Sequence, residues 1–304
     1  MTTTAQLSPD VQQRVRATGV SLSRVERVIR DAVAEDLDGG TDVTSIATVS
    51  DRHRSTMDIV ARGAGTVCGL AFAEAVFAIC DPSTTTLYRA RDGEAVSAGT
   101  VLLSVTGSTR GLLLAERTAL NLLGHLSGIA TATAQWVHAL AGTRAKVRDT
   151  RKTLPNLRAL QKYAVRCGGG VNHRMSLSDA ALIKDNHVEA AGSVGAAFDL
   201  VRKRAPELPL EVEVDSLDQL REVLDHGAQL VLLDNFTVEQ MREAVAVTAG
   251  RATLEASGGL TLESAREVAQ TGVDYIAVGA LTHSVRALDV AADLRPAEAT
   301  GQDA

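Results

Sequence analysis

The stretch LEVEVDSLDQLREVLDHGAQLVLLDN, residues 210–235, decides the fold. It holds two short apolar runs, LEVEVDS and LVLLDN, on either side of a helix-like segment that begins with a Ser N-cap and stops at a glycine. This is the pattern of a strand, a helix and a second strand. The theme repeats from about residue 145 onward, where the other apolar runs are AKVRDTRK, AALIKDN, TLEASGG and VDYIAVGA.

Continuous apolar strands that alternate with helices indicate a parallel sheet covered by helices, as in a (β/α) barrel or a doubly wound sheet. A polar or small residue follows directly on the apolar part of most runs, and in a barrel the carboxyl ends of all strands meet on one face. We therefore favour the barrel, and because six strands are counted instead of eight, we predict an incomplete one. The strand-end residues are Lys184, Glu213, Asp234, Ser257 and Gly279.

The first 125 or so residues follow a different pattern. A helical segment, SLSRVERVIRDAVAEDL, precedes alternating or mixed strands, which predicts a separate α+β domain. A second helical segment, LLLAERTALNLLGHL, then leads through SGIAT to a further helix toward the barrel. The chain closes on the polar tail LRPAEATGQDA.

Composition excludes several classes of function. The chain carries a formal net charge of −6 and only 3% aromatic residues, which argues against nucleic-acid binding. The first ten residues lack a basic segment followed by an apolar one, and no apolar run approaches membrane-spanning length, so we expect neither export nor membrane anchoring. Three cysteines without metal-ligand spacing predict a reduced, cytoplasmic protein without structural zinc.

Residues 151–174 hold six Lys or Arg and no carboxylate, although the whole chain is acidic. Arg151 and Lys152 follow a strand, and His173 and Arg174 follow a run of three glycines. Because Arg recognises carboxylates bidentately and Lys contacts phosphate as a point charge, we predict an anionic substrate. For the remaining cations, at helical spacings of four, we predict a solvated helix face; these are Arg158, Lys162 and Arg166.

Three further strand-end residues allow more than one chemistry. Lys184 could form a Schiff base, bind an anion or pair with a carboxylate. Glu213 and Asp234 could hold Mg²⁺, stabilise a cationic transition state, or only neutralise the cations opposite. Glu211 shares a strand face with Glu213 and is a weaker candidate.

Two glycine-containing loops and one arginine complete the candidates. The loops SGG (257–259) and VGA (278–280) end the last two strands, where backbone N–H groups commonly hold a phosphate. Arg117 lies on the apolar stripe of a helix and needs a partner, which could be an internal carboxylate or an anion in its own or a neighbouring subunit's site. The motifs GxSxG, GxGxxG, HExxH and Walker A are absent from the sequence.

Taken together, these segments resemble the quinolinate phosphoribosyltransferase family, the decarboxylating nicotinate-nucleotide pyrophosphorylases. The likeness spans about residues 21 to 290, keeps the family's order and departs from it in small ways, such as Ala277 where serine is common. The segments that carry it are ERTALNLLGHLSGIAT, DTRKTLPNLRALQKYAV, GGGVNHR, LIKDNH, EVEV, LLDN, EASGG and VGALTHS.

The resemblance implies an N-terminal α/β sandwich domain over residues 1–126 and an incomplete α/β barrel with the active site over residues 127–284. A C-terminal tail, residues 285–304, would pack back on the N-terminal domain. It also implies a homodimer in which Arg117 contributes to the neighbouring subunit's site.

For the site, the resemblance implies that quinolinate is bound through its two carboxylates by Arg117, Arg151, His173, Arg174 and Lys184. Lys152 would lie near these groups and the phosphates, and Lys152, Lys184, Glu213 and Asp234 would be catalytic. Glu213 and Asp234 would sit by the ribose hydroxyls and Mg²⁺. The 5′-phosphate would be held by Ser257, Gly258, Gly259, Gly279 and Ala280.

The reaction so implied transfers the phosphoribosyl group of 5-phosphoribosyl 1-pyrophosphate to quinolinate with loss of CO₂. It gives nicotinate mononucleotide and pyrophosphate, as in de novo NAD biosynthesis, without an organic cofactor. Three alternatives stay open: a paralogous phosphoribosyltransferase with another acceptor, such as the pyrophosphorylase associated with molybdate transport genes; a Schiff-base aldolase using Lys184; and a non-catalytic sensor of phosphoribosyl ligands.

Overall fold

The computed structural model describes residues 6–297 and divides the chain into two compact units. The first unit comprises Met1–Ala132, Leu154–Gly168 and Val285–Ala304, as far as these are described. The second comprises Thr133–Thr153 and Gly169–Ser284. The predicted boundary after residue 126 lies inside a helix, and residues 154–168, predicted to be part of the barrel, belong to the first unit.

The first unit is built on a four-stranded antiparallel sheet. In spatial order its strands are β12 (Val290–Pro296), β1 (Arg54–Ala61), β5 (Val101–Ser108) and β3 (Thr85–Arg89). A short ladder joins β2 (Gly65–Thr66) to β4 (Ala95–Val96). Since β12 pairs with β1, the described part of the predicted tail, up to residue 297, packs on the N-terminal domain; residues 298–304 lie outside the described range.

Helices of the first unit surround an aliphatic core. They are α1 (Pro9–Ala17), α2 (Leu22–Leu37), α3 (Val43–Thr48), α4 (Leu70–Cys80) and α6 (Arg158–Cys167). Helix α2 coincides with the helical segment predicted there. Helix α4 is buried along almost its whole length, because its sequence is apolar on every face.

The solvated face predicted for α6 is wrong. Lys162 is fully buried and Arg158 is half-buried, because α6 packs into the core through neighbouring residues such as Leu160. Arg166 is exposed but donates a hydrogen bond to the carbonyl oxygen of Thr18 at 2.7 Å. A spacing of four residues identified one helix but not which side of it faces solvent.

Helix α5 (Thr109–Ala139) also differs from expectation, because SGIAT does not interrupt it. Ser127 and Thr131 accept hydrogen bonds from the backbone of Cys68 and Thr66, at 2.9 and 2.8 Å, while remaining helical. At Gly128 a Cβ atom would overlap the carbonyl oxygen of Arg286. The small residues therefore permit close packing of backbone against the helix and do not end it.

The second unit contains a six-stranded parallel sheet in the order β6-β11-β10-β9-β8-β7. The strands are β6 (Lys146–Arg148), β7 (Ala181–Ile183), β8 (Leu210–Val214), β9 (Leu230–Asp234), β10 (Thr253–Ser257) and β11 (Tyr275–Ala277). Each predicted apolar run forms one of them. Strands β6 and β7 are the two edges of this described sheet, which confirms the incomplete barrel.

Helices follow the strands of the second unit. They are α7 (Asp185–Ala191), α8 (Val194–Arg204), α9 (Leu217–Asp225), α10 (Val238–Thr248), α11 (Ala265–Ala269) and α12 (Ala280–His283). Local signals set their starts: Ser216 caps α9 by accepting from the backbone N–H of Gln219, and Thr237 forms a capping box with Gln240 at α10.

Packing of the first sheet can be tested at one cross-strand pair. Met57 of β1 lies opposite Leu294 of β12, but Met57 is 1% exposed and Leu294 is 45% exposed. We expect Met57→Ala to lower the free energy of unfolding by about 2–5 kcal/mol because it leaves a cavity. The matched Leu294→Ala variant should lose less than about 1 kcal/mol. Urea titration measures both, and equal losses would contradict this description of the core.

Candidate active site

A cavity of about 630 Å³ lies at the carboxyl ends of the parallel strands. Every strand of the sheet contributes to its wall, either from its last residues or from the loop that follows. The lining residues are Thr150, Arg151, Lys152, His173, Arg174, Leu182, Lys184, Glu213, Leu232, Asp234, Asn235, Glu255, Ser257, Gly258, Gly259 and Ala277.

Most of the predicted site residues line this cavity. They are Arg151, Lys152, His173, Arg174, Lys184, Glu213, Asp234, Ser257, Gly258 and Gly259. Gly279 and Ala280 stand outside the lining, at the start of α12, although a Cβ atom on Gly279 would come within 2.8 Å of Lys152 Cδ. Arg117 lies on α5 with its side chain 63% exposed and 4.0 Å from Glu116.

Two guanidinium groups make one wall strongly cationic. Arg151 Nε and Arg174 Nε are both buried without a hydrogen-bond partner among the described residues. Burial, together with the neighbouring charge of Arg151, lowers the pKa of Arg174. Because a buried donor without a partner is costly, and two cations side by side repel, this wall is suited to an anion that accepts from both groups.

Asp149, which directly follows β6, holds the loop of His173 and Arg174 in place by hydrogen bonds. The buried Asp149 carboxylate accepts from the backbone N–H of His173 at 2.8 Å and from Asn172 Nδ2 at 2.6 Å. His173 Nδ1 in turn accepts from the backbone N–H of Arg174 at 2.7 Å. A neutral His173 ring therefore carries its proton on Nε2, which lies 2.6 Å from Glu211 Oε2.

Behind His173 lies a buried group of one arginine and two glutamates. Arg148 Nη1 is 2.5 Å from Glu255 Oε2 and 3.6 Å from Glu211 Oε1, and its guanidinium stacks 4.7 Å from the centre of the Tyr275 ring. One cation thus serves two carboxylates. Burial and the charge of Glu211 raise the pKa of Glu255 to about 8, so this carboxyl holds its proton near neutral pH.

The opposite wall is acidic. Lys184 Nζ lies 2.5 Å from Glu213 Oε2, and Asn235 Nδ2 donates to Asp234 Oδ2 at 2.7 Å. Glu213 and Asp234 also line an adjoining cavity of about 330 Å³ together with further carboxylates, which are Asp185, Glu189 and Asp215. One or two carboxylates, together with phosphate oxygens of a substrate, are a usual ligand set for Mg²⁺.

The loop after β10 has a backbone that requires glycine. Gly258 and Gly259 have φ values of +90° and +63°, in the left-handed region. A Cβ atom on Gly258 would overlap the Asn235 carboxamide, and the Asn235 backbone N–H donates to the carbonyl oxygen of Ser257 at 2.9 Å. This close approach of the β9 and β10 loops shapes the floor of the cavity.

Sequence reasoning missed several lining residues. Asn235 follows a predicted site residue and has a φ of +56°, a left-handed conformation that asparagine adopts more readily than most residues. The sequence alone does not predict this conformation. Glu255 was passed over because it lies within an apolar run. A lone glutamate inside a parallel strand is itself a signal, since a buried charge needs a partner.

The fold and the site together define a class: an enzyme that handles anionic ligands at the carboxyl face of an incomplete α/β barrel. Among the described residues, no helix is both long and apolar enough to cross a membrane. Two family models match: the quinolinate phosphoribosyl transferase N-terminal domain over residues 42–127, and its C-terminal domain over residues 129–293.

Individual relatives agree with the family models. The chain is 55% identical to a nicotinate-nucleotide pyrophosphorylase [carboxylating] of Mycobacterium leprae, over 88% of this chain and 95% of the relative. It is 40% identical to a mitochondrial quinolinate phosphoribosyltransferase [decarboxylating] of Nicotiana tabacum, over 88% and 81%. The crystal structure of NadC from Streptococcus pyogenes superposes with a TM-score of 0.88 at 38% identity, over 92% and 99%. The chain belongs to the quinolinate phosphoribosyltransferase family.

The raised pKa of Glu255 predicts a pH-dependent stability. Between about pH 4.5 and 8 the folded protein keeps a proton that the unfolded chain releases, so the free energy of unfolding falls as pH rises. We expect Glu255→Gln to flatten this fall by at least about 1 kcal/mol. Glu239→Gln, at an exposed carboxylate of α10, is the control. Denaturant titrations at pH 5, 6, 7 and 8 measure the slope, and parallel curves for the wild type and Glu255→Gln would contradict the prediction.

Proposed function

We propose that this protein transfers the phosphoribosyl group of 5-phosphoribosyl 1-pyrophosphate to quinolinate and releases CO₂, giving nicotinate mononucleotide and pyrophosphate in de novo NAD biosynthesis. The observation that carries the proposal is one cavity lined by the cations Arg151, Lys152 and Arg174 together with the carboxylates Glu213 and Asp234. The choice of this reaction rests on the names of the relatives, which are nicotinate-nucleotide pyrophosphorylases and quinolinate phosphoribosyltransferases.

Quinolinate binds at the cationic wall. Its two adjacent carboxylates accept from the guanidinium groups of Arg151 and Arg174, which line the cavity. The His173 ring, held by its contacts with Glu211 and the Arg174 backbone, borders the same space. Binding a dianion here also relieves the repulsion between the two guanidinium groups.

Glu213 and Asp234 act on the ribose side. As the pyrophosphate departs, positive charge develops at the anomeric carbon, and two preorganised carboxylates stabilise it. The quinolinate nitrogen attacks this carbon from a fixed position. Because both substrates are already bound, the entropy cost of bringing them together is not part of the barrier to the chemical step. Lys184, ion-paired with Glu213, and Lys152, next to the phosphate loops, offset the negative charge of both substrates.

Mg²⁺ is part of the proposal, because Glu213 and Asp234 offer the carboxylate oxygens with which proteins commonly hold this ion beside a substrate phosphate. Glu213 and Asp234, with the neighbouring carboxylates of the adjoining cavity, would hold the ion, which would supply charge neutralisation for the departing pyrophosphate. The loop of Ser257, Gly258 and Gly259, with Gly279 and Ala280, would offer backbone N–H groups to the 5′-phosphate. Gly258 cannot carry a side chain there without displacing Asn235.

Decarboxylation follows from the transfer. Ribosylation makes the ring nitrogen a pyridinium, whose positive charge stabilises the carbanion left on the adjacent carbon when the carboxylate departs as CO₂. The protein needs only to hold the ring in place while a carbanion forms and is protonated. No organic cofactor takes part.

The oligomeric part of the proposal is a homodimer in which Arg117 reaches the neighbouring subunit's site. The Arg117 side chain is 63% exposed and lies 4.0 Å from Glu116 on the same helix. This exposure is compatible with a contact to the neighbouring subunit. We also place the protein in the cytoplasm, on the basis of its three unbridged cysteines.

The Schiff-base alternative is disfavoured by the geometry of Lys184. Its Nζ lies 2.5 Å from Glu213 Oε2, a contact that a carbonyl substrate would have to displace before Lys184 could attack it. The sensor alternative leaves Glu213 and Asp234 without a purpose, because carboxylates weaken the binding of a purely anionic ligand. No described feature favours a different acceptor over quinolinate.

The reaction itself is the first test. Purified protein with quinolinate, 5-phosphoribosyl 1-pyrophosphate and Mg²⁺ should form nicotinate mononucleotide and CO₂ in equal amounts, and nicotinate as the acceptor should give none. Excess chelator should abolish turnover, and added Mg²⁺ should restore it. Binding of both substrates without CO₂ release would refute the enzymatic proposal, and turnover with nicotinate would refute the assignment of the acceptor.

Sharing of sites can be tested by subunit exchange. We expect Arg117→Ala and Arg174→Ala each to lower kcat/KM by at least about 100-fold, since each removes a charged contact. When equal amounts of the two inactive variants exchange subunits, about half of the dimers are mixed and each of these has one intact site, so activity should recover to at most about a quarter of wild type. Native mass spectrometry measures the exchange. Proven exchange without recovery would contradict a shared site.

A further inference from the structure

The first unit contains a pair of cysteines that the proposed reaction does not use. Cys68 lies directly before Gly69, the N-cap of α4, and Cys167 is the last residue of α6. Their Sγ atoms are within 4.8 Å of each other, and the two side chains are hydrogen-bonded. A disulfide needs an S–S distance of about 2.05 Å, so the two sulfur atoms must move toward each other for the bond to form.

The two thiols differ in their surroundings. Cys68 is fully buried, whereas Cys167 is half-buried. The hydrogen bond from Cys68 lowers the pKa of Cys167, and Tyr163 and Arg166 act in the same direction against the effect of burial. Burial raises the pKa of Cys68. Cys167 is therefore the thiol that an oxidant meets first, and Cys68 is placed to react with it second.

Asp92 also lies within this group, but its oxygens are engaged. Oδ1 accepts from the backbone N–H groups of Gly69 and Leu70, both at 3.1 Å, and Oδ2 accepts from the Tyr163 hydroxyl at 2.7 Å. A metal ion held by Asp92 and both sulfurs would have to displace these donors and ionise the buried Cys68. The arrangement thus favours reaction between the sulfurs over metal binding.

We propose that Cys68 and Cys167 form an oxidation site that peroxides convert to a reversible disulfide. The Cys167 thiol gives up its proton and its sulfur attacks one oxygen of hydrogen peroxide. The O–O bond breaks, Cys167 becomes a sulfenic acid, and the departing hydroxide takes up the released proton as water. Cys68 sulfur then attacks Cys167 sulfur. The S–O bond breaks, and the departing hydroxide takes the Cys68 proton as a second water. Two thiols are oxidised, and one peroxide is reduced.

The test uses the reduced full-length protein exposed to hydrogen peroxide, followed by thiol titration and peptide mass spectrometry. When the thiols are titrated after denaturation, wild type should fall from three thiols to one and yield a joined Cys68–Cys167 peptide pair, which dithiothreitol reverses. Cys80→Ser is the matched control, because Cys80 is half-buried and burial raises its pKa to about 12. This variant should still form the cross-link and fall from two thiols to none.

Single replacements separate the two roles. Cys68→Ala should leave Cys167 to accumulate as sulfenic and sulfinic acid without a cross-link, and Cys167→Ala should leave Cys68 unmodified. If one variant fails to fold, the other still decides the proposal. Wild-type protein that keeps all three thiols, or that oxidises Cys167 without a cross-link, would overturn it. The proposal would also be overturned if the reduced wild-type chain bound one transition-metal ion and neither single variant bound it. None of these results bears on the transferase activity.

Discussion

The charge of Arg148 inside the parallel sheet is the constraint on which the second unit depends. Arg148 lies on β6, and its two carboxylate partners lie on β8 and β10, so one guanidinium links strands from both halves of the sheet. Because Glu255 keeps its proton near neutral pH, Glu211 supplies the charge that compensates the buried Arg148, and removing either of these two would leave a buried charge without its partner. His173, which lines the cavity, contacts this group through Glu211. The geometry of that cavity wall therefore depends on a buried ion cluster.

The sequence was sufficient for the strands of the parallel sheet and for most of the cavity wall. Both follow from one rule, since a parallel strand is apolar until it reaches the carboxyl edge, and polar residues mark that edge. Glu213 and Asp234 were found this way, and so were the cations after the glycine run. The antiparallel sheet of the first unit was harder to predict, because its strands are short or mixed and its edge strand, β12, comes from the far end of the chain.

What could not be predicted depended on long-range packing. Lys162 was expected on a solvated face and is buried, because the orientation of α6 is set by a core assembled from distant segments. Glu255 was overlooked because its partner, Arg148, is 107 residues away in sequence. Likewise SGIAT was expected to separate two helices, but its small residues serve contacts with the segments around Cys68 and Arg286. In each case a local pattern was outweighed by a distant neighbour.

The pairing of β12 with β1 has a consequence for synthesis on the ribosome. The sheet of the first unit begins with residues 54–61 but gains its edge strand only from residues 290–296. Every strand of the parallel sheet is made in between. A growing chain can therefore complete the second unit while the first still presents an unpaired strand edge, and such edges are prone to association with other chains. The N-terminal part of the protein is started first and finished last, so truncation near the C-terminus would damage the domain that was made at the beginning.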